Sequence, residues 1–122
     1  MVQFDTSDQR LAALAADYLA IGVFDDDQSS PAIKALDAAA GGLLRKLKAT
    51  GDLPARAGET QLLLSATGLK ARRLLIVGLG KRGEFRQRGW RKAVSTALAA
   101  CLKTRSATLA LAIEQPQADA VD

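Results

Sequence analysis

The stretch Arg72-Arg-Leu-Leu-Ile-Val-Gly-Leu-Gly-Lys-Arg-Gly-Glu-Phe85 decides how this 122-residue chain is read. Leu74-Leu75-Ile76-Val77 is a continuous apolar run of strand-forming residues, the pattern of a central strand covered on both faces. It feeds into Gly78-Leu79-Gly80-Lys81-Arg82-Gly83, which spells G-x-G-x-x-G ahead of a helical pattern. A dinucleotide site needs more than that spelling. About 20 residues on, an acid should hold the ribose hydroxyls, but the chain there reads Leu98-Ala-Ala-Cys-Leu-Lys103 and the next acid is Glu114. No second mononucleotide half follows, and no Gly-Lys-Ser/Thr completes a P-loop. The expectation is a strand-to-helix turn in which Gly78 and Gly80 bend the backbone and hold no cofactor.

Outward from that turn, residues 84–104 show a helical stripe of Phe85, Trp90, Val94, Ala97, Leu98, Cys101 and Leu102. Arg86, Arg88, Arg91, Lys92 and Lys103 lie mainly off it. Residues 107–114 then read as a last strand. Upstream, residues 60–68 form a strand pattern behind a breaker-rich turn at 51–59. Residues 30–51 give one long helix, with Ser30 able to cap it, Pro31 at its first position and Gly51 at its left-handed end. Ile33, Leu36, Ala40, Leu43, Leu44 and Leu47 make its buried side, with Asp37 among the outward residues. Gly41-Gly42 inside that helix should cost about 1 kcal/mol each relative to alanine, which suggests another backbone packed against them. Asp17 to Asp26, with Tyr18, Leu19, Ile21, Val23 and Phe24 clustered in it, reads as a strand stopped by Asp25-Asp26-Asp27, and residues 1–4 as a short first strand. The element order is β-β-α-β-β-α-β, an α/β fold with a mixed sheet flanked by helices.

Composition bounds the chemistry. The chain has no histidine and a single cysteine, so a Ser-His-Asp triad, a histidine-bound zinc and an intrachain disulfide are all excluded. Cys101 lies on an apolar helical face and reads as a small buried hydrophobe. A lone thiol, no signal-peptide pattern and no apolar run near the roughly 20 residues needed to span a bilayer give a cytoplasmic expectation with no membrane partner. The three adjacent aspartates lack the spacing of a calcium loop. No catalytic, metal-binding or cofactor-binding residue is assigned.

The formal charge of +4 conceals a split. Residues 1–37 carry a net −5, and residues 70–105 a net +10. Lys81, Arg82, Arg86, Arg88, Arg91 and Lys92 fall within twelve residues, with Phe85 and Trp90 between them. They are the candidate nucleic-acid contacts, and a phosphate-binding set of that size predicts a steep salt dependence. Nothing nearby supplies a reading head for base edges, and a solvated or subunit-facing helix surface accounts for the same charges.

Taken together, the segments resemble the N-terminal domain of the cytosol (leucyl) aminopeptidase family. The landmarks are Gly41-Gly42 in a helical stretch, Gly51-Asp52, Gly58-Glu59, and the strand ending Val77-Gly78-Leu79-Gly80-Lys81, with Trp90 to Lys103 following. The similarity runs from about Phe4 to Glu114. It implies a macro-domain-like fold and a parent enzyme that is a homohexameric two-metal exopeptidase, using manganese or zinc to remove N-terminal residues from peptides. Its metal ligands and catalytic residues belong to a C-terminal domain whose motifs are missing here. The expectation is therefore a single non-catalytic domain, residues 1–122, incomplete at its C-terminal end, inactive alone and serving assembly and access. Some bacterial relatives also bind DNA, which adds to the case for residues 81–92 as a DNA-binding or transcription-regulating surface. An ADP-ribose-type ligand at Gly78–Gly83 follows from fold analogy alone.

Overall fold

A computed structural model describes residues 3–5, 11–26 and 30–116. Strands β1 (Gln3–Asp5), β2 (Tyr18–Phe24), β3 (Thr60–Leu64), β4 (Arg73–Gly80) and β5 (Thr108–Ala112) form one sheet in the order β1-β5-β2-β4-β3. β1, β5, β2 and β4 run parallel, and β3 joins the edge antiparallel to β4. Helices α1 (Pro31–Ala39), α2 (Leu43–Thr50) and α3 (Gln87–Lys103) complete the fold, which is the mixed sheet flanked by helices that the apolar patterning requires. Asp27 and the polar tail from Gln117 onward lie outside the described residues.

The strand alternation sorts the core into two layers. Tyr18, Ala20 and Phe24 of β2, Leu75, Val77 and Leu79 of β4, and Leu109 and Leu111 of β5 face α3, with Ala93, Ala97 and Cys101 opposite them. Leu19, Ile21 and Val23, together with Leu74 and Ile76, face α1 and α2, where Ile33, Leu36 and Leu44 meet them. Residues Leu74 to Leu79 of β4 are all buried. A continuous apolar run is what two covered faces select for.

The helix expected over 30–51 is two helices. Ala40 N–H bonds the Leu36 carbonyl, Gly41 N–H that of Ala38 and Gly42 N–H that of Asp37. This is the bond pattern of a Schellman end. Gly41 and Gly42 sit at φ 71° and 82°, a left-handed region costly for residues with a Cβ. A Cβ added at Gly41 would meet nothing within 4 Å. The glycine pair thus answers to backbone torsion, and the expected close backbone approach is absent there. α2 ends on the same device, with Gly51 N–H on the Lys48 carbonyl and Asp52 N–H on that of Leu47. Ser30 makes no side-chain cap bond, so Pro31 alone marks the start of α1.

Two residues change places relative to the amphipathic reading. Asp37 is buried at 6% exposure because its Oδ1 accepts the Leu44 N–H at 2.6 Å and its Oδ2 the Arg45 Nε–H at 3.0 Å. The last turns of α1 thereby cap the start of α2. Leu102, placed in the apolar stripe, is 55% exposed, and Ala93 takes a buried position on α3. Phe85 is buried but precedes α3, which begins after a 3-10 turn at Arg82–Glu84. β3 stops at Leu64 because Ser65 turns left-handed at φ 52°.

At the other end of the sheet, Asp17 ties β2 to β5. Its Oδ2 accepts the N–H of Ala107 at 2.8 Å and of Thr108 at 3.3 Å, while its own N–H donates to Thr108 Oγ1 at 2.8 Å. The Ala107 N–H, then the Thr108 N–H and the nearby Arg72 and Arg73 charges, hold its carboxyl below the usual value of 3.8, against an opposing contribution from desolvation. The ionised form is thus favoured in the folded state. Its stabilisation is present above the unfolded value and is lost as pH falls through the lowered one. In thermal melts, Asp17→Asn is expected to lower Tm at pH 7 and to have a diminishing effect as pH drops below about 4. An equal Tm loss at both pH values would contradict this.

Candidate functional site at the C-terminal rim of the sheet

In open α/β sheets ligands meet the carboxyl ends of the strands, and here that rim is largely taken by the chain itself. The loop after α2 crosses it. Gly78 N–H donates to the Glu59 carbonyl at 2.7 Å, Gly80 N–H to that of Ala55 at 2.8 Å, and Gly58 N–H to that of Gly78 at 3.3 Å. A Cβ at Gly78 would stand 2.1 Å from the Arg56 carbonyl oxygen and 2.6 Å from that of Pro54. Gly78 is therefore a place of close backbone approach inside β4, and the bend itself falls at Gly80, φ 78°. The Gly78 and Gly80 amides of this turn already have carbonyl partners.

Residues 80–85 are fastened to the neighbouring strands. Asp25 N–H bonds the Gly80 carbonyl at 2.8 Å, and Arg82 N–H bonds Asp26 Oδ1 at 3.0 Å. The Arg82 guanidinium pairs with Glu114 and lies 4.2 Å from the Phe24 ring centroid. Phe24 in turn meets Phe85 edge-on, with centroids 5.2 Å apart. Trp90 is partly buried against the α3-side core, and its Nε1–H reaches the Ile113 carbonyl at 3.3 Å. Both aromatics interleaved among the bases are thus occupied within the fold.

Of the six candidate phosphate contacts, Lys81, Arg86, Arg88, Arg91 and Lys92 are exposed. Arg82 is half-buried, and its guanidinium is in contact with Glu114 and Phe24. Arg86 Nη1 spans the Gly83 carbonyl at 2.8 Å and the Phe85 carbonyl at 3.1 Å. Beside the loop lies an open cleft of about 670 Å³, lined by Asp25, Lys48, Asp52, Arg56, Glu59 and Gln61 among others. None of the six bases lines it. Within it Asp52 Oδ2 accepts the Thr50 hydroxyl at 2.8 Å and Glu59 Oε1 the Arg56 N–H at 3.1 Å. The lining holds no serine, cysteine or histidine. Sequence reasoning missed this cleft, because its walls meet only after the 51–59 loop folds back over β4.

The donor set likewise does not fit a two-metal centre. Among the described residues no three metal-ligating side chains converge, and Cys101 is buried, its thiol pushed up chiefly by desolvation and further by the Asp17 charge. Also among the described residues, no helix is long and apolar enough to cross a membrane.

The chain is a mixed-sheet α/β domain whose C-terminal rim is crossed by its own 51–59 loop. Residues 20–122 match the model of the cytosol aminopeptidase family, N-terminal domain, and the chain belongs to that family. It is 42% identical over 110 residues to a probable cytosol aminopeptidase of Xanthomonas axonopodis pv. citri, a match covering 90% of this chain and 22% of the relative. A probable cytosol aminopeptidase of Ralstonia pickettii is 41% identical over 102 residues, covering 82% and 20%. One of Stenotrophomonas maltophilia is 43% identical over 101 residues, covering 81% and 21%. The chain thus spans about a fifth of the length of the curated relatives it matches.

Proposed function

We propose that this chain is the non-catalytic N-terminal domain of a cytoplasmic metallo-aminopeptidase, serving subunit assembly and access to an active site carried by a C-terminal domain of the same protein. The observation that carries the reading is the family match over residues 20–122, set beside relatives about five times longer. The parent would be a homohexamer releasing N-terminal residues from peptides with two divalent ions, manganese or zinc. The absence of histidine from the chain and of a convergent donor set among its described residues supports placing that chemistry outside these residues. The rim of the sheet supports a scaffold role in the same way: its turn amides are spent on the 51–59 loop.

The 122-residue chain is expected to release no p-nitroaniline from leucyl-p-nitroanilide with manganese or zinc added. The longer protein is expected to turn the substrate over under the same conditions. Metal-dependent turnover by the short chain alone would overturn the proposal.

A further inference from the structure

Among the described residues, no strand pairs with the outer edge of β3. Glu59 offers its carbonyl to Gly78, and Ser65 gives its N–H to the Arg72 carbonyl. Since direction alternates along an antiparallel strand, the odd residues face β4, and Thr60, Leu62 and Leu64 aim their N–H and C=O groups outward. Exposed edges are ordinarily guarded by lysine, proline or a bulge. Thr60-Gln-Leu-Leu-Leu64 has none of these, and Leu62 and Leu64 are 43% and 68% exposed. Both lie on the α3 side of the sheet, since Leu62 stands opposite Leu75 and Leu64 opposite Arg73.

We propose that β3 pairs antiparallel with β3 of a second copy of this chain, about a two-fold axis at Leu62. This deepens the assembly reading above and rests on it. The geometry is self-consistent at three levels. Leu62 has both backbone groups outward, so Leu62 and the second copy's Leu62 form a hydrogen-bonded pair, and each Thr60 meets a Leu64 in the same manner. Their side chains merge the exposed leucines of both copies into one apolar patch on the α3 side. Charge is complementary as well. The same axis sets Glu59 of one copy opposite Ser65 of the other, and Arg72 is the next residue along that row. A carboxylate and a guanidinium then flank a short serine side chain, while no like charges oppose along the strand. Five paired residues bury less than the roughly 1,200 Å² of a stable isolated interface, so this contact is a weak one by itself and gains strength from other contacts in an oligomer.

Cross-linking reads such a pair directly. A hydrogen-bonded antiparallel pair holds its Cα atoms about 5.5 Å apart, inside the disulfide range. In a Cys101→Ala background, Leu62→Cys is expected to form a covalent dimer under mild oxidation at least about tenfold faster than Leu102→Cys, an equally open position on α3. Sedimentation of the unmodified chain should show dimerisation at high concentration that Leu62→Lys abolishes. Equal rates at the two cysteines, or dimerisation untouched by Leu62→Lys, would overturn the proposal. So would a cross-link from the Leu62→Cys thiol to another segment of the same longer polypeptide. A monomeric, uncross-linked chain sinks this pairing and leaves family membership standing, whereas peptidase turnover by the chain sinks the scaffold reading and not the pairing.

Discussion

Gly78→Ala is expected to destabilise the fold by about 2–4 kcal/mol, read as a lower urea midpoint. The added methyl would lie 2.1 Å from the Arg56 carbonyl oxygen and 2.6 Å from that of Pro54. Those atoms belong to backbone, so no rotamer change relieves the contact. Either the 54–56 loop withdraws or β4 shifts, and withdrawal breaks the bonds from Gly78 N–H to Glu59 and from Gly80 N–H to Ala55. It would also uncover Ala55, which is buried against the α1–α2 layer. Gly83, where an added methyl meets nothing within 4 Å, supplies the contrast. Gly83→Ala should stay within about 0.5 kcal/mol of the parent chain. Equal midpoints for the two variants would refute the close-approach account of Gly78.

Asp37→Ala is expected to cost about 2–3 kcal/mol. The substitution leaves the buried Leu44 N–H at the start of α2 without its acceptor and strips Arg45 of its carboxylate. Most of that loss should come from the amide. The Arg45 side chain is 76% exposed, and an ion pair so placed contributes about 0–1 kcal/mol. Arg45→Ala should therefore cost far less than Asp37→Ala, and Asp37→Asn, which keeps an oxygen for the amide, should fall between them. A double-mutant cycle separates the two contributions. An Arg45→Ala loss as large as that of Asp37→Ala would show that the ion pair, and not the cap, joins the helices.

How far the sequence could be read follows from which signals are local. β4 was legible because an unbroken apolar run has few other homes than a strand covered on both faces. The ends of α1 and α2 were only half legible. Gly51 announces a left-handed terminus at the close of an apolar pattern, but Gly41-Gly42 sits between two stripes that share one phase, so a break reads as a flaw in a single helix. Asp37 was misplaced for the same reason: its partner, the Leu44 amide, is free only if the helix breaks. The glycine-rich turn shows the limit most plainly. Gly78, Gly80 and Gly83 fit a cofactor pattern by spacing, and the chain's lack of a suitably placed acid argues against that use. What occupies the site instead is a loop from the far side of β3 (Pro54 to Glu59), a tertiary fact that no local window contains. The basic residues were visible as a run, but the withdrawal of Arg82 into a contact with Glu114 depended on where β5 ends.

The clamp between Gly78 and the 58–59 segment reaches further than the turn. By pinning Gly58 and Glu59 to β4 immediately before Thr60, it acts as the register lock for the antiparallel edge. A slip of one residue would send Leu63 into solvent and turn Leu62 and Leu64 inward, since neighbours on a strand point to opposite faces. A glycine that spells out a nucleotide fingerprint thus determines, a whole strand earlier in the chain, which leucines the molecule shows to solvent.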